Sequence, residues 1–255
     1  MWKSLRQQVV RQNKFIYLFP EEKVKLVLKS LLAVIVVNVC FYQNILAFLG
    51  LWSIGIVFYE KEKRLVLSRK EEAAREQFRE MLLLTVTGQR AGYSVENAFL
   101  NSYEDLANLY GAESSICKML QEIREGIRNH IAIAELWKRI GEECDIVEIK
   151  EFAQVLEVAV QSGGRQASVL EKTADTIADK TDTKKEIAVV MSAKVLEQKV
   201  MNIMPFGLIL YLNVTSPGYF EGLYHSVGGV FIMTGCLLFY LMAYFIGEKT
   251  ARIEL

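Results

Sequence analysis

The chain has 255 residues, 52% of them hydrophobic, and its 30 basic residues balance its 30 acidic ones. Zero net charge gives no electrostatic reason to expect a nucleic-acid partner. The charge is unevenly spread, however. Positions 60–199 hold 21 Lys/Arg and 25 Asp/Glu, while 26–59 and 200–247 hold almost none, which implies two solvents for one chain.

Residues 1–25 read as a cytoplasmic N-terminal segment. It mixes charge with aromatics and lacks a small-residue cleavage site, so no signal peptide is expected. The first apolar run, 26–42, has Lys29 near its start, where a lysine can snorkel to headgroups. The second run is 45–59, and only Gln43-Asn44 separates the two. Residues 26–59 are therefore expected to form a transmembrane helical hairpin. Each run is short against the roughly 20 residues of a spanning helix, and a single long, bent helix is the alternative.

Residues 60–77 are dense in charge at helix-compatible spacing, which predicts a solvated helical stalk. From 78 to 199 helical spacing recurs, no proline occurs and strand signals are nearly absent, so a six-helix cytoplasmic bundle is expected. Gly88 and Gly92 are expected to break the first helix, and Ser94 to cap the second. A loop near 111–115, an interruption at 126–130 and a cap at Asp145 separate the next helices. Gly163-Gly164 turns the chain into a long sixth helix that runs without Gly or Pro to 204. Leu82, Phe99, Leu120, Leu136, Phe152 and Leu156 are candidate core residues.

The third apolar run, 200–214, contains Pro205, where a kink is expected. The fourth, 226–247, is the longest, and Pro217 lies in the loop between them. These make a second transmembrane hairpin, 200–247, followed by a cytoplasmic tail, 248–255. Lys and Arg flank the apolar runs at 3–25, 61–70 and 249–252, and are missing from positions 43–44 and 215–225. The positive-inside rule then predicts four spans with both termini and 60–199 in the cytoplasm.

Chemistry-bearing motifs are scarce. Gly247-Glu-Lys-Thr250 lacks the upstream glycine of a phosphate loop, since position 242 is Met. His130 and His225 fall on opposite sides of the expected membrane. The acids Glu142, Glu143, Asp145 and Glu148 read as a solvated helix start rather than a cation site. The four cysteines form no CxxC and read as small hydrophobes in a reducing compartment. The spans carry no Asp, Glu, Lys or Arg apart from Lys29, which disfavours a transporter. No catalytic, cofactor-binding or metal-binding residue is expected, nor any enzyme activity or cofactor. The candidate site residues are structural turns and a kink: Gly88, Gly92, Ser94, Asp145, Gly163, Gly164, Pro205 and Pro217.

Residues 78–98, reading FREMLLLTVTGQRAGYSVENA, resemble the opening of the type II secretion F domain. Residues 152–164, with Leu170 and Ala174 beyond, are similar to its second signature. Met204-Pro205 and Ser216-Pro-Gly-Tyr219 resemble its closing hairpin. The resemblance covers roughly 70–247. Two spans before one such domain and two after look most like the TadB branch of tight-adherence (Flp) pilus machines, with the TadC branch the near alternative. The resemblance implies a platform protein of the bacterial cytoplasmic (inner) membrane. Its implied partners are a secretion or pilus assembly ATPase, prepilin, a TadC-like second platform subunit in a homo- or hetero-oligomer, and membrane lipid. The competing class is a membrane-bound helical signalling or scaffold protein.

Overall fold

A computed structural model describes residues 14–42, 47–144, 146–161, 166–216, 218–224 and 226–253. Every regular element among them is helical, so the chain is all-α. The helices are α1 (Pro20–Phe41), α2 (Ala47–Arg90), α3 (Val95–Tyr110), α4 (Ser115–Arg128) and α5 (Ile133–Cys144). They continue as α6 (Val147–Gln161), α7 (Gln166–Thr215), α8 (Glu221–Tyr224) and α9 (Val227–Ile253). The chain divides into two compact units. The first joins the segment ending at Leu18 to Leu65–Asp182, and the second joins Phe19–Arg64 to the chain from Thr183 onward. The two boundaries fall inside α2 and α7, so each of these helices carries residues of both units.

In the first unit, apolar residues recur every three or four positions and all face one core. Ile116, Met119, Leu120 and Ile123 do so on α4, and Ile133, Leu136, Trp137 and Ile140 on α5. Four rings from four helices sit at its centre. Trp137 lies 5.6 Å from Phe78, 5.4 Å from Phe99 and 5.3 Å from Phe152 between centroids, in tilted or edge-to-face arrangements. Such pairs contribute about 0.5–1.5 kcal/mol each beyond the area they bury. Leu82, Leu120, Leu136 and Leu156 complete the shell and are buried.

Gly88 does not break α2 as expected, since the helix runs on to Arg90, while the interruption expected over 126–130 does end α4, at Arg128, with Gly126 still inside its last turn. Both glycines sit where another helix approaches. A Cβ at Gly88 would lie 3.2 Å from Ala98 Cβ on α3, and one at Gly126 would overlap the Leu136 side chain on α5. Packing at these points outweighs the helix penalty of glycine, about 1 kcal/mol.

The N-terminal segment belongs to this unit. Phe15 and Ile16 are buried in its core. Ser115 Oγ donates to the Phe15 carbonyl at 3.1 Å, and Lys70 Nζ to the Tyr17 carbonyl at 2.8 Å. Lys118 Nζ donates to the Tyr17 hydroxyl at 2.9 Å.

The second unit pairs its helices antiparallel. Lys29 and Glu62 meet at 3.6 Å, and Val34 packs on Gly55, where a Cβ would approach Val34 Cγ2 to 2.9 Å. Falling positions on α1 thus oppose rising positions on α2, and the small residue lets the helices close up. Likewise Tyr240 Oη on α9 donates to the Asn202 carbonyl on α7 at 3.0 Å, and Asn213 Nδ2 reaches Tyr224 Oη at 3.3 Å. The ends of the two pairs that lie far from Lys29 are tied together. Tyr224 Oη donates to the Cys40 carbonyl at 2.8 Å, and the Tyr42 and Thr234 hydroxyls share a bond of 2.9 Å.

Only two helical stretches among the described residues, Pro20–Phe41 and Gly228–Gly247, are long and apolar enough to cross a membrane. The expected four spans reduce to these two on that measure, for a physical reason. The apolar part of α2 runs only from Ala47 to Tyr59 before the charges begin. At 1.5 Å per residue that is about 20 Å, against a hydrocarbon core of about 30 Å. The apolar end of α7 is interrupted by Asn202, Pro205 and Asn213.

Candidate functional site

The chain turn between α2 and α3 gathers three of the residues singled out from sequence. Tyr93 N–H donates to the Gly88 carbonyl at 3.1 Å, and Gly92 N–H to the Gln89 carbonyl at 2.9 Å. These two bonds close the end of α2, and the residue between must turn left-handed; Gly92 does so with φ of +94°. Ser94 Oγ then accepts from the Asn97 N–H at 3.3 Å and caps α3. The same closure ends α4, where His130 takes the left-handed place with φ of +60°. These residues shape turns, and none lines either of the two cavities described next. Asp145, Gly163, Gly164 and Pro217 lie outside the described residues. Pro205 sits inside α7, which continues past it to Thr215. It leaves the Met201 carbonyl without an in-helix donor.

Two concave sites stand out among the described residues. The first, of about 620 Å³, lies in the first unit beside the docked N-terminal segment. Its walls are ionic. Lys14 Nζ sits 2.6 Å from Glu122 Oε2 and 3.2 Å from Glu143 Oε2, and Arg139 reaches the other Glu122 oxygen at 3.4 Å. The hydrogen bond to Glu122 leads in raising Lys14 above the usual lysine pKa, against a smaller opposing effect of burial. With Lys118 and Glu125 also in the lining, three cations facing three carboxylates leave little net field for a charged ligand. The arrangement holds the N-terminal segment in place.

The second site is an apolar cleft of about 810 Å³ in the second unit. Val34, Val37, Ile54, Phe206 and Leu241 line its length, contributed by α1, α2, α7 and α9. At one end stand Glu60, Lys61, Arg64 and Tyr244. Lys61 Nζ bonds the Tyr244 hydroxyl and lies 4.2 Å from its ring centroid. The neighbouring pair Lys29–Glu62 marks the same level of the helices. Sequence reasoning placed Lys61 and Arg64 in a solvated stalk and did not connect them with a cleft. The one available signal was their position directly after an apolar run.

Among the described residues no cluster of three or more His, Cys, Asp or Glu has metal-site geometry. Cys40, Cys117 and Cys144 are buried free thiols, and Cys236 is an exposed one. No protein-family model matches this chain, and neither does any curated protein or solved structure.

Proposed function

We infer that the chain is a four-span platform protein of a bacterial inner membrane, of the type II secretion or Flp pilus kind. In this reading residues 65–182 form a cytoplasmic bundle that receives force from an assembly ATPase, and the paired apolar helices help draw prepilin from the bilayer into a growing filament. A second platform subunit of the TadC kind shares the task. The chain performs no chemistry of its own, and its energy comes from the partner.

The observation that carries the membrane part of this reading is the outward face of the second unit. On α1 the exposed residues are Val24, Val27, Leu28, Leu31, Leu32, Ile35 and Val39, and on α9 they include Phe231, Ile232, Leu238, Phe239 and Met242. Stripes this apolar and this long are unstable in water and suit lipid. The tied ends of both helix pairs lie away from the cationic flanks at Lys29 and Lys61, which supports a topology with both reversals outside. It also supports shorter runs crossing with their neighbours' help, since Lys29 and Glu62 pair at the rim and bilayers thin around short segments. The F-type part of the reading rests on the sequence resemblance of 78–98, 152–164 and 204–219.

The test is paired. Single cysteines at positions 219 and 125 are probed in intact cells with a membrane-impermeant maleimide. Labelling at 219 alone is expected, and labelling at 125 would overturn the topology. Affinity purification of the chain from membranes is expected to bring down a hexameric ATPase. A correct topology with no such ATPase, but with a response regulator bound, would move the reading to a signalling scaffold.

A further inference from the structure

Resting on the membrane reading of the second unit, we propose that its cleft is a binding site for one anionic phospholipid. The acyl chains lie along Val37, Ile54, Phe206 and Leu241, and the phosphate lies against Lys61 and Arg64.

Size comes first. The cleft holds about 810 Å³, within the roughly 300–1,000 Å³ typical of small-ligand sites, a size that suits part of a lipid molecule.

Polarity comes second. The walls are apolar along most of their length, and the ionisable residues stand at one end. Such a gradient matches an amphiphile lying parallel to the helices, tails inward. A soluble anion would find the apolar walls useless, and a neutral hydrocarbon would find the charges costly.

Charge at that end comes third. The lining at that end carries two cationic side chains, Lys61 and Arg64, against one carboxylate, Glu60. Tyr244 fixes Lys61 through its hydroxyl and ring, and so pre-positions the ammonium. An ammonium has three N–H donors, and a guanidinium presents a planar fork suited to phosphate oxygens. Basic pockets between membrane helices on the cytoplasmic side are where anionic headgroups bind. An excess cation favours a headgroup with net negative charge over a zwitterionic one.

The experiment uses the full chain, reconstituted into vesicles of equal phosphatidylglycerol, phosphatidylethanolamine and phosphatidylcholine, then re-extracted in mild detergent. Retained lipid is read by mass spectrometry. Phosphatidylglycerol is expected to be enriched about tenfold over each zwitterionic lipid. The pair Lys61→Gln/Arg64→Gln should abolish the enrichment, and Lys63→Gln, whose side chain does not line the cleft, should keep it. Leu241→Trp, which fills the apolar part and leaves every charge in place, should lower total retained lipid and serves if the charge variant fails to insert. Equal retention of the three lipids by an embedded chain would overturn the proposal and leave the membrane reading standing. So would competition by glycerol 3-phosphate alone, which would mark a headgroup site without tails. Recovery of the chain from the soluble fraction without detergent would overturn the membrane reading itself.

Discussion

Both units are helical and both space their apolar residues three or four apart, yet the second leaves far more of those residues on its outer surface. In the first unit Phe78, Phe99, Trp137 and Phe152 are at most 1% exposed, and the outer surfaces carry ion pairs such as Lys138–Glu157 and Lys180–Glu151. In the second unit Phe231 and Phe239 are 76% and 77% exposed, while Val34, Phe41, Leu51, Met233 and Leu237 are buried between its helices beside the small or hydroxyl-bearing contacts of Gly55, Tyr42, Thr234 and Tyr224. A water-solvated bundle gains by hiding hydrocarbon. Helices in lipid gain nothing from that, so close approach and hydrogen bonds between helices must hold them together. The same periodicity thus serves a hidden face in the first unit and a largely exposed one in the second, as the proposed membrane setting of the second unit requires.

The comparison breaks most visibly at the aromatic residues. Phe152→Ala should destabilise the first unit by about 3–5 kcal/mol, because the other three rings cannot close over the cavity. Phe239→Ala removes a similar ring from the exposed face of α9 and should change stability by less than about 1 kcal/mol in a bilayer. Denaturant unfolding of the reconstituted chain, followed by Trp137 fluorescence for the first variant and by helix content for the second, reads both. Equal losses would mean that α9 packs against protein rather than lipid.

Charge insertion sharpens the same contrast. Leu32→Lys on α1 should cost about 2.5–3.5 kcal/mol on the insertion scale and lower the membrane-embedded fraction. Leu109→Lys at an equally exposed site of α3, 64% against 63%, should be neutral within about 0.5 kcal/mol. Alkaline carbonate extraction separates the outcomes. A neutral Leu32→Lys would remove lipid as the solvent of α1.

Within the first unit, glycine and histidine test how the turns and crossings are built. Gly126→Ala should destabilise by about 1–3 kcal/mol, because its methyl would overlap Leu136 and the α4–α5 crossing would have to open. Gly92→Ala meets open space but keeps the left-handed backbone, which strains a side chain by about 1–2 kcal/mol. His130→Gly runs the other way. It relieves the same backbone strain and should stabilise by about 0.5–1 kcal/mol. Thermal melts of the three variants should therefore fall, fall and rise.

The sequence exposed local chemistry better than it exposed contacts. Ser94, Gly92 and the apolar stripe of α4 were readable because a cap, a left-handed turn and a helical period each occupy a few adjacent positions. Gly88 was misread as a breaker because a glycine in isolation disfavours helix, and only the position of Ala98 explains why it is kept. The docking of Phe15 and Ile16 was illegible, since two apolar residues have no period. The cleft was illegible too, because its lining comes from four helices spread over some two hundred positions of chain. The apolar runs at 45–59 and 200–214 were legible as the ends of longer helices, the charged stalk continuing the first and the long sixth helix running into the second, and α2 and α7 are continuous across both junctions.

The smallest expected effect concerns the N-terminal segment, which the first unit holds by charge as well as by Phe15. The hydrogen bond to Glu122 raises the Lys14 pKa above the ordinary lysine value of 10.5, and burial opposes it less strongly. A lysine whose folded pKa is raised binds its proton more tightly in the folded state. Its contribution is therefore complete below about 10.5 and fades as pH rises through the higher folded value. The Lys14 side chain is 56% exposed, so solvent screens the pair, and the whole contribution should stay under about 1 kcal/mol. Other lysines and tyrosines titrate in the same alkaline range, which makes the wild type alone uninformative. The difference in stability between wild type and Lys14→Met removes that background. It should be level from neutral pH to about 10, shrink above that, and shrink at neutral pH when salt is raised. A difference that grew with pH would mean that Lys14 is held in the neutral form, and the ion pair with Glu122 and Glu143 would not be what secures the segment.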